Sequence, residues 1–163
     1  MDNNNLKIGV VLAGEGTPSI PARAVDNSAG YDLYVPKDFR IERGRNVVNI
    51  GVKLDLPIGI DGHIRPRSGF SAKGMEGYTI PRFKWLKPKK KRFDTDVIQG
   101  TIDHGYQDEI NIIINNHDKP FTIKGGTRIA QMVFNRHELP ILLEVDELTG
   151  FDRGGGMGHT GTK

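Results

Sequence analysis

The sequence has no cysteine and a single tryptophan, Trp85, among its 163 residues. Without cysteine there is no disulfide framework and no thiolate metal site, which excludes small disulfide-stabilised folds and cysteine-ligated zinc enzymes. The chain also lacks an apolar run long enough to cross a bilayer as a helix. Its first five residues are polar, so we expect no secretory signal peptide and no membrane partner. The expected location is the cytoplasm.

Acidic residues are absent from one segment, Arg82–Arg92, which carries seven basic residues. The other 16 of the 23 Lys and Arg residues are outnumbered by 20 acidic residues, so the rest of the chain has a balance of −4. The formal net charge of +3 therefore comes from one local segment. A nucleic-acid-binding domain usually spreads its basic charge over a face, so nucleic acid is not the expected partner.

Short runs rich in Val and Ile, bounded by Gly, Pro, Asn and Asp, predict an all-β protein. We expect a compact β-barrel or jelly-roll with one short helix, Ser68–Gly74. The length fits one domain, residues 1–149, followed by a glycine-rich tail, residues 150–163, that should be mobile when empty. The predicted strands are Leu6–Leu12, Tyr31–Val35, Val47–Leu56, His63–Ile64, Val97–Ile102, Ile110–Asn115, Phe121–Ile123, Arg128–Phe134 and Ile141–Val145.

The segment Gly100–Tyr106 (GTIDHGY) places one carboxylate and one aromatic ring on what we predict to be a short apolar hairpin. This suits a nucleoside, because the Tyr106 ring can lie on the sugar while the Asp103 carboxylate takes a proton from water. The hairpin backbone can read the edge of the base. An aspartate beside a turn is also ordinary turn chemistry, so this segment alone leaves both interpretations open.

Two further segments suit an anion. Arg67-Ser68-Gly69 puts a guanidinium, a hydroxyl and an unhindered amide at the start of the predicted helix, where phosphate binds well. An ordinary N-cap serine beside a surface arginine is the alternative. Gln131 is an amide in an otherwise apolar strand, and an outward-facing polar position would explain it equally well.

Five segments follow one another in a fixed order, and together they resemble the trimeric dUTPase family, the deoxyuridine triphosphate nucleotidohydrolases, from about Pro21 to Gly161. The resemblance implies hydrolysis of dUTP to dUMP and pyrophosphate, with water attacking the α-phosphate. This reaction keeps uracil out of DNA and supplies dUMP for dTMP synthesis. It also implies a homotrimer. The segments are Ala29–Leu33 (AGYDL), Pro66–Gly69 (PRSG), Gly100–Tyr106, Gly126–Gln131 (GTRIAQ) and Arg153–Gly161 (RGGGMGHTG).

The same resemblance implies a role for individual residues. Asp103 would be the general base, and Tyr106 would exclude a ribose 2′-hydroxyl. Asp32 would help to hold Mg²⁺ on the triphosphate through water. The remaining substrate-binding residues would be Arg67, Ser68, Gly69, Gly100, Ile102 and Gln131, and, in a tail that closes over the nucleotide, Arg153, Met157, Gly158, His159 and Thr160. Met157 stands where the family usually has a phenylalanine that stacks on uracil.

A basic insert at about residues 75–96 is longer than the connection usual in the family. It contains Trp85 and the basic segment Arg82–Arg92. We expect a solvated loop or hairpin arm, with a protein-binding arm as the alternative, because Trp and basic residues are frequent at interaction hot spots.

Two other functions stay open from the sequence. A dCTP deaminase has a similar fold, although the Asp103 and Tyr106 arrangement and Arg67-Ser68-Gly69 favour dUTPase. A dUTP-sensing or repressor-binding protein, in which catalysis is secondary, is the non-enzymatic alternative. A zinc deaminase is excluded because the chain has no cysteine.

Overall fold

The computed structural model describes residues 6–152, which form thirteen β-strands and one short α-helix. Every strand pair between these elements is antiparallel. In chain order the elements are β1 (Gly9–Leu12), β2 (Gly30–Tyr34), β3 (Phe39–Ile41), β4 (Gly44–Asn49), β5 (Val52–Asp55), β6 (Ile60–Arg65), α1 (Ser68–Lys73), β7 (Met75–Thr79), β8 (Lys90–Phe93), β9 (Thr95–Val97), β10 (Gly100–Ile102), β11 (Asn111–Asn116), β12 (Phe121–Ile123) and β13 (Arg128–Arg136).

The strands form four sheets around one hydrophobic core. The sheet orders are β1-β5, β10-β6-β13-β2, β4-β11-β9 and β3-β12-β7-β8. Fully buried side chains from three of these sheets, including Leu33, Ile114 and Phe121, lie in the same core cluster. The all-β expectation is confirmed. The closed barrel among the expected alternatives is not formed, because the described strands make separate open sheets.

Period-two burial accounts for most of the strands. In β11, Ile112 and Ile114 are buried while Asn111 and Ile113 are exposed, as expected for a sheet with one face on the core. The predicted strand Val47–Leu56 is two strands instead. Gly51 separates them with a φ of +66°, and a Cβ there would lie 2.3 Å from the carbonyl oxygen of Ala13. No other residue type fits such a position without a backbone shift.

The segment predicted as an insert, residues 75–96, contains the β7–β8 hairpin. Its ends are core strands, because β7 pairs with β8 over Met75↔Phe93 to Tyr78↔Lys90 and with β12 on its other side. Met75 is fully buried, and the ring of Phe93 stacks on that of Phe121 at 4.0 Å. Only residues 80–89 leave the sheet. The predicted strand Ile141–Val145 is wrong, since these residues are not in a strand and lie exposed.

The one described helix, α1, begins at Ser68 as predicted and ends at Lys73. Phe70 anchors it in the core, and Gly74 caps its end with its amide donating to the Phe70 carbonyl. Position 74 requires glycine, because φ is +72° and a Cβ there would lie 2.2 Å from the Phe93 carbonyl oxygen. Residues 6–152 contain no helix with the length and apolarity to span a membrane.

Candidate functional site

Asp32 lies in β2 and joins two arginines. The residue is 5% exposed. One carboxylate oxygen, Oδ1, forms an ion pair with Nε of Arg67 at 2.8 Å, and the other, Oδ2, accepts a hydrogen bond from Arg128 at 3.1 Å. The guanidinium groups of Arg67 and Arg128 are both partly exposed. A buried carboxylate with two charge-assisted partners fixes both cations at the surface, where they can meet an anion.

Gln131 supports the loop that carries Arg67. It lies opposite Asp32 on one side of β13 and opposite Arg65 on the other. Its side-chain amide donates to the Pro66 carbonyl at 2.9 Å. A Cβ on Gly30 would sit 2.3 Å from the Gln131 side-chain oxygen, so glycine at this position leaves room for the amide. Gln131 therefore lies beside the arginine cluster and holds the backbone of its loop, while its predicted contact with substrate stays a prediction.

The start of α1 lies beside this cluster. Arg67 is the N-cap residue, with extended backbone and no side-chain cap, and its guanidinium lies 5.7 Å from the centre of the Phe70 ring. Ser68 and Gly69 are not buried. Nothing lies within 4 Å of a Cβ built on Gly69, so the space around its backbone is open. The ordinary N-cap serine considered above is not observed here, because the cap position is Arg67.

Asp103 follows β10 on a tight turn. The Tyr106 amide donates to the Asp103 carbonyl at 3.2 Å, and Gly105 has a φ of +86°. Glycine suits this third turn position because a positive φ is strained for other residues. The turn is tied down by His104, whose Nδ1 donates to the Leu56 carbonyl at 2.5 Å. The Asp103 carboxylate itself is exposed.

Tyr106 completes this turn. Its hydroxyl donates to the Glu109 carbonyl at 3.2 Å, while the residue stays 38% exposed. The ring is therefore fixed at one end and open on its surface. The predicted hairpin of Gly100–Tyr106 is wrong in its pairing. β10 pairs with β6, whereas β9 pairs with β11 in another sheet, so Gly100 and Ile102 belong to an edge strand.

The structure does not bring Asp103 and Arg67 together within one chain. Ile102 pairs with Gly62 near the start of β6, whereas Arg67 follows the end of β6. Asp61 and Arg65 are four strand positions apart, which is about 13 Å at ~3.3 Å per residue, and Arg67 is two residues further on. The Asp103 turn and the arginine cluster therefore lie at opposite ends of the same strand.

Two members of the site were given no role from the sequence. Arg128 and Gly30 both stand inside segments that carry the resemblance, but nothing in their own spacing marks them. The register between β13 and β2 is what places them at the site, because Gln131 faces Asp32 and Val133 faces Gly30. A β-bulge between Arg128 and Ala130 shifts this register, which hides the contact between Arg128 and Asp32 from any count along the sequence.

Residues 6–152 contain no group of three His, Asp or Glu side chains that could hold a metal ion. Both oxygens of Asp32 are already paired with an arginine, which fits contact with a phosphate-borne Mg²⁺ through water better than direct ligation. The predicted tail residues Arg153, Met157, Gly158, His159 and Thr160 lie outside the described residues.

An exposed carboxylate turn and a fixed arginine pair on an all-β scaffold define a protein suited to phosphorylated ligands. The dUTPase family model matches residues 17–85 and 86–161. A deoxyuridine 5′-triphosphate nucleotidohydrolase of Rhodococcus erythropolis is 38% identical over 148 residues, covering 87% of this chain and 79% of its own. That of cowpox virus is 34% identical over 146 residues, covering 88% and 86%. The chain belongs to the dUTPase family.

Solved structures show the same fold. The dUTPase of phage phi11 of S. aureus superimposes with a TM-score of 0.72 at 22% identity, covering 90% of this chain and 100% of that one. The dUTPase of Staphylococcus bacteriophage 80alpha, with bound dUPNHPP, gives 0.73 at 22% identity, covering 90% and 92%. A phi11 structure is described as coordinating a structural Mg(II) ion.

Proposed function

We propose that this protein hydrolyses dUTP to dUMP and pyrophosphate. The observation that carries the proposal is the Asp103 turn, which presents an exposed carboxylate and an open tyrosine ring on a backbone fixed at Leu56 and Glu109. Membership of the dUTPase family supports the substrate. The expected intracellular location stays a prediction.

In the proposed reaction, Asp103 accepts a proton from a water molecule as the water oxygen bonds to the α-phosphorus. The bond from this phosphorus to the bridging oxygen breaks, and pyrophosphate leaves with the electron pair. A positioned base of this kind contributes about 10²- to 10⁴-fold to the rate. The Tyr106 ring would lie against the deoxyribose and leave no space for a 2′-hydroxyl.

The uracil ring and the phosphates of the nucleotide would be bound by separate structural elements. Because β10 is an edge strand, the outer backbone side of Gly100 and Ile102 can bind the edge of uracil. Arg67, Ser68 and Gly69 would bind the triphosphate, with Gln131 holding their loop. Mg²⁺ would neutralise part of the phosphate charge when bound, and Asp32 would reach it through water.

We also propose a homotrimer whose sites are shared between subunits. Asp103 and Arg67 lie at opposite ends of β6, so a nucleotide bound by both is served more readily by two chains than by one. The segment after β13 gives independent support. Ile141, Leu142 and Leu143 are 86%, 90% and 78% exposed, and an apolar run of this kind normally marks a contact with another chain.

The tail is proposed to close over the nucleotide and to contribute Arg153 and glycine amides. Truncation after Thr149 should leave a folded protein whose turnover falls steeply, because exclusion of water and phosphate donors are lost. A truncated protein with full turnover would contradict this role.

The experiment that tests the function is a panel of dUTP, UTP, dCTP and dTTP assayed for pyrophosphate and ammonia. We expect pyrophosphate from dUTP alone. Ammonia from dCTP would show a deaminase, and binding of dUTP without turnover would show a sensor. Either result would replace the proposed function.

A further inference from the structure

The arm, defined here as residues 80–89, carries a flat aromatic surface. The rings of Phe83 and Trp85 stack with their centres 5.9 Å apart and their planes 12° from parallel. Trp85 is 78% exposed and Phe83 is 51% exposed. Large aromatic rings rarely stay this open on a protein surface without a ligand.

The arm is held in place at its base and at its tip. Thr79 and Lys89 exchange two hydrogen bonds of 2.9 Å, from the Thr79 amide to the Lys89 carbonyl and from the Lys89 amide to Thr79 Oγ1. At the tip the Leu86 amide donates to the Phe83 carbonyl at 3.0 Å. The stacked pair is therefore presented on a closed loop that continues the β7–β8 hairpin.

The positive charge around the rings is largely unneutralised. Of the basic residues beyond the arm, Lys90 and Arg92 both pair with Glu76 at 2.8 Å. Within the arm, Lys84, Lys87 and Lys89 make no ion pair with any described residue, and the arm contains no acidic residue. A neighbouring cleft of ≈ 450 Å³ is lined by Pro81, Pro88 and Lys87 among others, which is large enough for a small aromatic group.

Although the charge pattern of the sequence does not favour nucleic acid as a partner, we propose that the arm binds single-stranded nucleic acid, with Trp85 and Phe83 stacking on bases and the three lysines contacting phosphates. Stacking surfaces flanked by basic side chains are how such strands are bound without sequence readout. The composition argues against a protein partner, the alternative expected from the sequence. Lysine is depleted at protein–protein interfaces, where arginine is the usual cation. Arg82 is the arm's one arginine, and it lies 5.7 Å from the centre of the Phe83 ring.

The contact is expected to be confined to the arm, because the chain outside residues 80–89 has 19 basic and 20 acidic residues, a balance of −1, and so adds no general attraction for phosphate. We therefore expect weak binding of a few nucleotides per arm, with no preference between DNA and RNA, since no described group of the arm reads the sugar. If three phosphates are contacted, the affinity should fall on the order of 20-fold between ~50 and ~200 mM salt.

The test uses the full-length protein and a labelled oligo(dT) of about twelve nucleotides. Because Trp85 is the only tryptophan, quenching of intrinsic fluorescence reports directly on stacking, and anisotropy of the label reports binding. Trp85→Leu should weaken binding about tenfold, in line with the loss of one stacked base. Lys84→Gln, Lys87→Gln and Lys89→Gln together should abolish most of it and its salt dependence.

Matched control variants separate binding through the arm from a general effect of positive charge on the protein. Lys7→Gln, Arg43→Gln and Arg45→Gln together remove the same number of charges from exposed positions elsewhere, and they should leave binding unchanged. Hydrolysis of dUTP, assayed in the same samples, should be unchanged in every variant, so the outcome does not depend on the proposed function. Excess dUMP should not displace the oligonucleotide.

Four results would overturn the proposal: no quenching of Trp85 by oligo(dT), affinity that does not respond to salt, equal loss in the control variant, or displacement by dUMP. Tighter binding of a poly-glutamate peptide than of oligo(dT) would assign the arm to an acidic protein partner instead.

Discussion

Asp32 holds two arginine side chains with one carboxylate, so the three residues act as a unit. Both of its oxygens are engaged, and the group is buried. Removing one member of a fully buried ion pair costs about 3–5 kcal/mol, and the cost here should be smaller because both arginines keep contact with solvent. Asp32 therefore positions the two arginines, and the predicted contact with Mg²⁺ would be added to that role.

Arg128→Gln tests this positioning. The variant leaves Arg67 held by one oxygen of Asp32 but removes the second guanidinium. A hydrogen bond between charged groups is worth about 1.5–3 kcal/mol, so we expect the KM for dUTP to rise by about tenfold or more, with a smaller change in kcat. Arg128→Lys should recover part of the loss. Arg136→Gln, an exposed arginine at the end of the same strand, is the control, and an equal effect there would contradict the role.

Asp103→Asn tests the proposed base. The side chain is exposed and the turn is fixed by backbone and His104 contacts, so the fold and the KM should change little. The kcat should fall on the order of 10²- to 10⁴-fold, as expected when a positioned base is lost. Asp108→Asn removes a nearby exposed carboxylate and should retain most of the turnover. An Asp103→Asn enzyme that works at the normal rate would rule out Asp103 as the base.

At the scale of strands, the sequence predicts elements well where buried and exposed residues alternate. It predicts them poorly where strand formation depends on pairing with a neighbouring strand. Phe121–Ile123 is confirmed to the residue. Strand β8, read as Lys90-Lys91-Arg92-Phe93, has no apolar alternation and forms because β7 lies beside it. Ile141–Val145 has the composition of a strand but no strand partner among the described residues, and it is not one. Sequence pattern reports propensity, whereas a strand also needs a neighbour.

The β9–β11 pair contains a pH-dependent contact. His117, just after β11, lies 2.8 Å from the Asp96 carboxylate in β9. Its hydrogen bond to Asp96, with help from the charge of Asp94, raises the pKa of His117 above its usual value of 6.5. A raised pKa means that the folded state favours the protonated ring, so the stabilisation is complete below 6.5 and is lost as the pH rises through the folded-state pKa.

At a pH about one unit below 6.5, we therefore expect His117→Gln to lower the Tm. At a pH about two units above 6.5, the same substitution should have little effect on the Tm. Thermal unfolding at the two pH values measures this difference. Asp96→Asn should reproduce the same pH dependence, because it removes the other partner. A Tm difference that is the same at both pH values would show that the ring contributes through packing and not through its charge.

At the scale of the whole molecule, the proposed homotrimer would spread the site over more than one chain. The residue types proposed to bind phosphate and to accept a proton were predictable from their segments, since each has a recognisable chemistry. Their arrangement was not, because it depends on which end of β6 each segment reaches and on how subunits meet. The side chains of Leu142, Leu148 and Phe151 are each at least 90% exposed, and the proposed assembly would cover them with another chain.

Subunit mixing tests this arrangement directly. Arg67→Ala and Asp103→Asn should each be nearly inactive alone, because every site lacks either the phosphate-binding arginine or the base. In co-expressed mixtures at equal amounts, half of the subunits carry an intact Arg67 and the other half an intact Asp103. If a site takes these two residues from different chains, about a quarter of the sites are intact and turnover should recover to about a quarter of the wild-type value. If both residues come from one chain, no mixture can contain an intact site.

Differently tagged subunits, purified through both tags, confirm that the assemblies are mixed. Turnover in that fraction no higher than in the two pure variants would therefore contradict the shared site, and it would leave the roles of Arg67 and Asp103 themselves untouched.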